Sequence, residues 1–282
     1  FCHFCVVPYT RGPEYSRPFN QITDEVKYLA DNGAKEIILL GQNVNAYEFN
    51  GLKLSNLIIE IEKISGVQRV RYTTSHPKDM TEDLINVYKY SKKLMPLIHL
   101  PVQSGSNKIL NSMNRKHTIS EYLDIYNKLR EISTKIEFSS DFIIGYPGEE
   151  EQDFNQTLDL IKKIKFINSY SFLFSPRPGT VAGELRSSDK IVLAKRLEKI
   201  QKQLFENQTI MNKSLENKIL NVLAENLTED KTQVFGRSEY MTSVIFNGKE
   251  SDIGKIVSVK IEKSNRSTLF GKLINNFTKK VA

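Results

Sequence analysis

The sequence predicts an α/β chain: a run of parallel strand–helix units followed by a small all-β barrel. Three observations carry this prediction. Five apolar stretches rich in β-branched residues recur through residues 36–180. Amphipathic helical patterns separate them. From residue 213 onward the pattern changes to short strands with turn residues between them.

The first strand is read in EIILLGQN (36–43) and the second in VQRVRYTTSHP (67–77). The third is LMPLIHLPVQSGS (94–106), the fourth KIEFSSDFIIGYPGE (135–149) and the fifth INSYSFLFSPRPGT (167–180). Between them SNLIIEIEKIS and TISEYLDIYNKLREIS read as helices, the latter capped by Thr118 or Ser120 with Glu121 in its first turn. Alternating strands and helices of this kind build a parallel sheet, open or closed into a barrel. A barrel is favoured by where the unusual residues fall. Each strand runs into a Gly- or Pro-bearing polar stretch that carries Gln42, Asn43, Ser75, His76, Gln103, Ser104, Asp141, Glu149, Ser175 and Arg177. Chemistry in α/β barrels sits on the loops that leave the C-terminal ends of the strands. Residues 188–212 then give a long helix, with Ile191, Ala194, Leu197, Ile200 and Leu204 on its apolar face and Lys and Arg opposite. In the β-barrel that follows, Phe235, Tyr240, Phe246 and Phe270 are candidates to stack bases, with core packing the expected role for most of them.

At 282 residues and 39% apolar, the chain has enough material for one sizeable core and a small second domain. No apolar run approaches the ~20 residues of a membrane span, so membrane spanning is excluded and a reducing cytoplasm is expected. The formal charge of +7 is unevenly placed. Residues 1–185 hold 22 basic and 22 acidic side chains, whereas residues 186–282 hold 18 and 11. A basic terminal third of this kind is a solvated face or a nucleic-acid surface.

The two cysteines, Cys2 and Cys5, stand together in FCHFCVVPYTRG. A zinc site lacks a second cysteine pair. A thioredoxin-like motif would follow a strand and open a helix, whereas Val-Val-Pro follows here. Two buried structural thiols and part of an iron–sulfur ligand set, which takes at least three thiolates, also remain open.

The order of the motifs then adds a resemblance. FCHFC resembles the end of the Cys-x-x-x-Cys-x-aromatic-Cys loop of radical S-adenosylmethionine (radical SAM) enzymes, with Phe4 in the aromatic slot. FCVVPYTRGPEYSRP, LLGQNVNAY, TTSHP, HLPVQSGS, MNRKHT, SDFIIGYPGE and SPRPGT together resemble the methylthiotransferase branch of that superfamily. Within it they are most similar to the group that adds a methylthio group to C2 of N6-isopentenyladenosine, 3′ of the tRNA anticodon. Sister groups acting on threonylcarbamoyl-adenosine or on a ribosomal protein aspartate, and a catalytically inactive RNA-binding remnant, are the alternatives.

The resemblance implies a partial (β/α)6 TIM-like barrel of radical SAM type with its first strand missing, over residues 1–211. It implies a TRAM RNA-binding β-barrel over residues 212–282. It makes Cys2 and Cys5 two of three ligands to a [4Fe-4S] cluster, with the third outside the chain. S-adenosylmethionine is implied as cofactor, cleaved by electron transfer to a radical able to attack an unactivated carbon. Gly41 and Gln42 match a position near its methionyl group, and the block containing Asp141, Gly145, Gly148 and Glu149 matches the part that holds adenine and ribose. Phe4, Ser75, Gln103 and Arg177 complete the implied cofactor rim, and Arg11 and Arg17 are candidates for phosphate, cofactor carboxylate or surface ion pairs. A second cluster in an N-terminal domain, absent here, is implied as the sulfur carrier, so the chain alone is expected not to complete the reaction. The anticodon arm of tRNA is the implied partner; a monomer is expected, and the electron donor is open.

Overall fold

The computed structural model describes residues 2–185 and 189–274. Phe1 and residues 275–282, which the sequence reading assigns to the ends of the two domains, lie outside the described residues. Parallel strands lie side by side in chain order. Glu36–Leu40 pairs with Arg69–Thr73, a bridge from Val70 to Leu94 leads to Leu97–His99, and that strand pairs with Glu137–Ser139. Asp141–Ile144 then pairs with Tyr170–Leu173. The fourth predicted strand is therefore two short strands broken at Ser140, whose hydroxyl accepts from the Val102 amide while its own amide donates to Ser169 Oγ.

Strand alternation assigns two faces to this sheet. Ile37, Val70, Tyr72, Ile98, Phe138, Phe142 and Ile144 are buried in the core between sheet and helices. Glu36, Ile38 and Leu40 stand on the inner face with their partners Arg69, Arg71 and Thr73, and farther along it stand His99, Ser139, Asp141, Tyr170 and Phe172.

Local signals explain the helices. Helix Ile119–Ile132 starts at Thr118, whose hydroxyl accepts from the Glu121 amide while the Glu121 carboxylate accepts from the Thr118 amide. Helix Lys190–Ser214 is capped by Asp189, which accepts from the Ile191 and Val192 amides. Its predicted apolar face needs correction. Ile191 is 68% exposed, and Leu193, Ile200 and Leu204 are the buried positions. Arg196 is also buried, because the Glu149 and Glu151 carboxylates receive its guanidinium.

After this helix, five strands close a barrel in the order Val234–Ser238, Ser243–Asn247, Thr268–Leu273, Ile256–Ser264, Ile219–Leu227. Tyr240 and Phe246 belong to its core, while Phe235 and Phe270 are only half-buried beneath Arg237 and Lys263. The barrel docks against the N-terminal ends of the sheet strands, below the inner face. There the buried Arg69 donates to the Arg237 carbonyl at 3.1 Å and the Asn221 carbonyl at 2.5 Å. Arg71 donates to the carbonyls of Glu239 and Ser238 at 2.9 and 3.1 Å. Glu36 lies between the two guanidiniums, 3.4 Å from Arg69 Nη1 and 3.1 Å from Arg71 Nε.

Candidate active site at the C-terminal rim

The cysteine turn sits at the opposite, C-terminal end of the strands. The Cys5 amide donates to the Cys2 carbonyl at 3.0 Å, which closes a tight turn and brings both thiols onto one loop. The turn is anchored from two sides. The His3 amide donates to Met113 O and the His3 carbonyl accepts from the Ala182 amide, both at 2.9 Å. Phe4 packs against an apolar patch of Ile109, Met113, Tyr146, Phe174 and Ala182. Both cysteines are free thiols and half-buried.

Arg115 reaches this turn from the loop after helix Asn107–Ser112. Its guanidinium donates to Pro101 O at 2.6 Å and approaches Cys2 Sγ at 3.6 Å, while its Nε is buried without a partner. Among the described residues no carboxylate pairs with it. A buried cation without a counter-charge costs several kcal/mol, and an anionic group beside Cys2 would be complementary to it. Two cysteines on one turn next to such a cation suit an iron–sulfur cluster in their chemistry. Among the described residues no three His, Cys, Asp or Glu side chains are grouped to hold a metal ion.

Further unsatisfied polar atoms ring the same place. Asn43 Oδ1, Ser75 Oγ and both ring nitrogens of His117 are buried with no hydrogen-bond partner. The His76 and His117 rings meet edge-to-face at 5.5 Å. Burial first, then the Arg115 charge, pushes His76 down to about 3 and His117 down to about 4, so both imidazoles are neutral at neutral pH. Buried polar groups in folded proteins are nearly always paired; the exceptions on Asn43, Ser75, Arg115 and His117 are polar atoms that a water or ligand could satisfy.

The structure separates the predicted site residues by what they touch. Gly41, Gln42 and Arg177 are exposed at strand ends, and Ser75 is buried and unpartnered. Gln103 adopts φ 75°, and its backbone forms the bridge to the Asp141–Ile144 strand. Asp141 lies on the inner face, 3.6 Å from His99 Nε2. Gly145 takes φ 74°, where a Cβ would stand 2.4 Å from Leu193 Cδ2; Gly148 takes φ 87° in open space. The Glu149 carboxylate accepts from the Gly145 amide at 3.1 Å and from Arg196 at 2.9 Å. Burial raises its pKa against the pull of that hydrogen bond and of Arg196. Glu149 thus shapes its own loop and presents no free carboxylate to the rim. Ser104 is turned away as well, toward Thr157 at 3.3 Å. Arg17 is held in a surface ion pair with Glu25 at 2.7 Å, and Arg11 is exposed.

Arg115, His117 and Arg196 are the site residues that sequence reasoning did not assign. A usable signal for Arg115 was present: residues 107–120 carry Lys108, Arg115 and Lys116 with no acidic residue among them.

Comparison with known proteins identifies the family and the fold. The Radical SAM superfamily profile matches residues 1–161, and the TRAM domain profile matches residues 213–274. The chain is 66% identical over its full length to the tRNA-2-methylthio-N(6)-dimethylallyladenosine synthase of Pelagibacter ubique (strain HTCC1062), and spans 64% of that protein. It is 49% identical over 96% of its length to the protein of the same name from Wolbachia pipientis subsp. Culex pipiens (strain wPip), and spans 63% of it. Among solved structures, coproporphyrinogen III oxidase from Escherichia coli, described as a radical SAM enzyme, matches with a TM-score of 0.55 at 13% identity, over 94% of this chain and 64% of that one. Streptococcus suis SuiB bound to S-adenosylmethionine matches with a TM-score of 0.51 at 14% identity, over 73% of this chain and 45% of that one. At such identities the structures speak for the fold alone, and the profile covers more than half of the chain. By fold, cysteine turn and sequence, the chain belongs to the radical SAM superfamily.

Proposed function

We propose that this chain is the cofactor- and RNA-holding part of a methylthiotransferase that acts on N6-isopentenyladenosine next to the anticodon of tRNA. The observation that carries the reading is the 66% identity to a relative of that name across both the sheet and the terminal barrel. The polar rim beside Cys2 supports the radical SAM half of it. The terminal barrel, with the basic excess of residues 186–282, supports the RNA half.

In this reading Cys2 and Cys5 provide two thiolates of a [4Fe-4S] cluster, and the relatives' additional length provides the third ligand and a second cluster. A bound cluster supplies the single electron that cleaves S-adenosylmethionine. This chain's own residues do the rest by placement. Arg115, whose guanidinium lies 3.6 Å from Cys2 Sγ, would balance negative charge on a group held by the cysteines, with neutral His76 and His117 nearby as uncharged hydrogen-bonding groups. The strand ends at Gly41, Gln42, Ser75 and Gln103 line the space above the inner face, and Asp141 presents a carboxylate within it. The Glu149–Arg196 pair fixes the shape of the 145–149 loop, whose Gly145 amide donates to the Glu149 carboxylate. Lysine and arginine of the terminal third hold RNA phosphates, with affinity that falls as salt rises. The reading places the protein in the cytoplasm and needs only a monomer.

The test is mass spectrometry of tRNA nucleosides from cells with the gene deleted. Loss of the 2-methylthio group with N6-isopentenyladenosine retained is expected. An unchanged nucleoside profile would overturn the reading.

A further inference from the structure

The inner face carries a feature with no part in the cysteine rim. Tyr170 and Phe172, on the last strand of the sheet, are 61% and 54% exposed, although large aromatic side chains are ordinarily well covered. Their rings are stacked within 11° of parallel, with centroids 6.4 Å apart. Two residues of a strand advance ~6.6 Å, so the rings stand off the sheet one strand repeat apart, as near-parallel plates. That gap is about two stacking layers of ~3.4 Å, the rise between neighbouring bases on one strand of a duplex.

The register places these rings on the same face as Asp141 and Ile143, since Asp141 pairs with Tyr170 and Ile143 with Phe172. One strand farther on, His99 bonds Ser139 Oγ at 2.8 Å and lies 3.6 Å from Asp141. The edge of a planar ring seated at Tyr170 and Phe172 therefore meets a carboxylate and an imidazole, and its faces meet aromatic carbon. A heteroaromatic base with N–H groups on its edge fits this combination. A purely apolar partner would bury the Asp141 carboxylate without a donor, which costs more than the ring contacts return. The basic terminal third supplies the complementary charge for a polyanion bearing such a base.

We propose that Tyr170 and Phe172 form the stacking site for a single purine base of RNA, with Asp141 and His99 reading its edge. The proposal rests on the RNA reading given above and assigns residues to its substrate.

The chain contains no tryptophan, so Phe172→Trp gives a lone emitter inside the site. Two ligands are titrated into this variant of the full chain: adenosine alone, and an anticodon stem-loop RNA compared with the same RNA abasic at the target position. RNA binding is followed separately by anisotropy of a labelled RNA. The expected result is quenching by adenosine and by the base-bearing RNA, with the abasic RNA bound but not quenching. Tyr170→Ala in the same background removes one stacking face and weakens adenosine binding roughly ten- to hundred-fold. Quenching by adenosine without any RNA binding would leave the base site standing and overturn the tRNA reading. RNA binding without base-dependent quenching would overturn the base site and leave the tRNA reading intact. Blue emission unchanged by either ligand would also overturn it, since it means that another part of the protein covers these rings.

Discussion

His117 is buried with neither ring nitrogen paired, which makes it a sensitive reporter of the rim. In the unfolded chain its imidazole takes up a proton near pH 6.5. In the fold, burial and the Arg115 charge hold this off until about 4. Between those values the unfolded chain binds more protons than the folded one. The His117 contribution to stability is therefore complete above about pH 6.5 and is lost as pH falls toward 4. At pH 5 the loss is about 2 kcal/mol relative to neutral pH. His76 acts in the same direction, and the raised Glu149 and Glu239 carboxyls act against it. Comparison with a variant isolates the single site. Urea unfolding at pH 7.5 and pH 5 should show a smaller stability loss for His117→Gln than for the unaltered chain. Equal losses would mean that the ring is not held neutral. The neutral, buried state of His117 was not legible in the sequence, where MNRKHT counts only as one block of the family resemblance. The buried, unpaired state of Arg115 and His117 arises from loops that meet only in three dimensions.

At the scale of elements, the sequence was most informative where local chemistry decides. Thr118 and Glu121 form the cap that their spacing predicts, and the strand ends fall at the Gly- and Pro-bearing stretches. It misled where a tertiary partner overrides the helical pattern, as when Glu149 and Glu151 draw Arg196 inward and leave Ile191 in solvent. The 145–149 loop separates two kinds of glycine that look alike in sequence. Gly145 and Gly148 both take positive φ, so either substitution to Ala carries the left-handed cost of roughly 1–2 kcal/mol. Only at Gly145 does a Cβ also collide with Leu193 of the long helix. Such overpacking adds roughly 1–3 kcal/mol. Thermal or urea unfolding should therefore rank Gly145→Ala below Gly148→Ala in stability. Matching losses would show that the loop does not pack against the helix as described.

At the scale of the whole molecule, the decisive contact is the one that fixes the terminal barrel to the sheet. The segment VQRVRYTTSHP carries two arginines in a strand, and strand alternation alone assigns them one face, yet nothing local says what that face meets. The structure answers with backbone carbonyls of the second barrel and with Glu36 between the two guanidiniums. Burial lowers the Arg71 pKa, and Glu36 is the first group that opposes this. The position has a consequence for function. The barrel sits at the N-terminal ends of the strands, and the cysteine turn at the C-terminal ends, so in the proposed reading an RNA held by the barrel would reach the rim along the inner face. Tyr170 and Phe172 lie on that route. Rigid docking then matters for reaching the rim as well as for stability. Glu36→Gln removes the carboxylate that touches both buried guanidiniums and leaves Glu239 as their remaining acidic neighbour, and breaking a buried pair of this kind costs about 3–5 kcal/mol. The variant is expected to unfold at lower urea. At denaturant concentrations where both domains remain folded, it should also bind a stem-loop RNA about as well as the unaltered chain while protecting residues 69–73 less in amide hydrogen exchange. That split follows because the phosphate-binding lysines and arginines stay in place while their anchor to the sheet is weakened. Undiminished protection of residues 69–73 would show that the carbonyl contacts hold the barrel without Glu36, and that the carboxylate is a bystander in the docking.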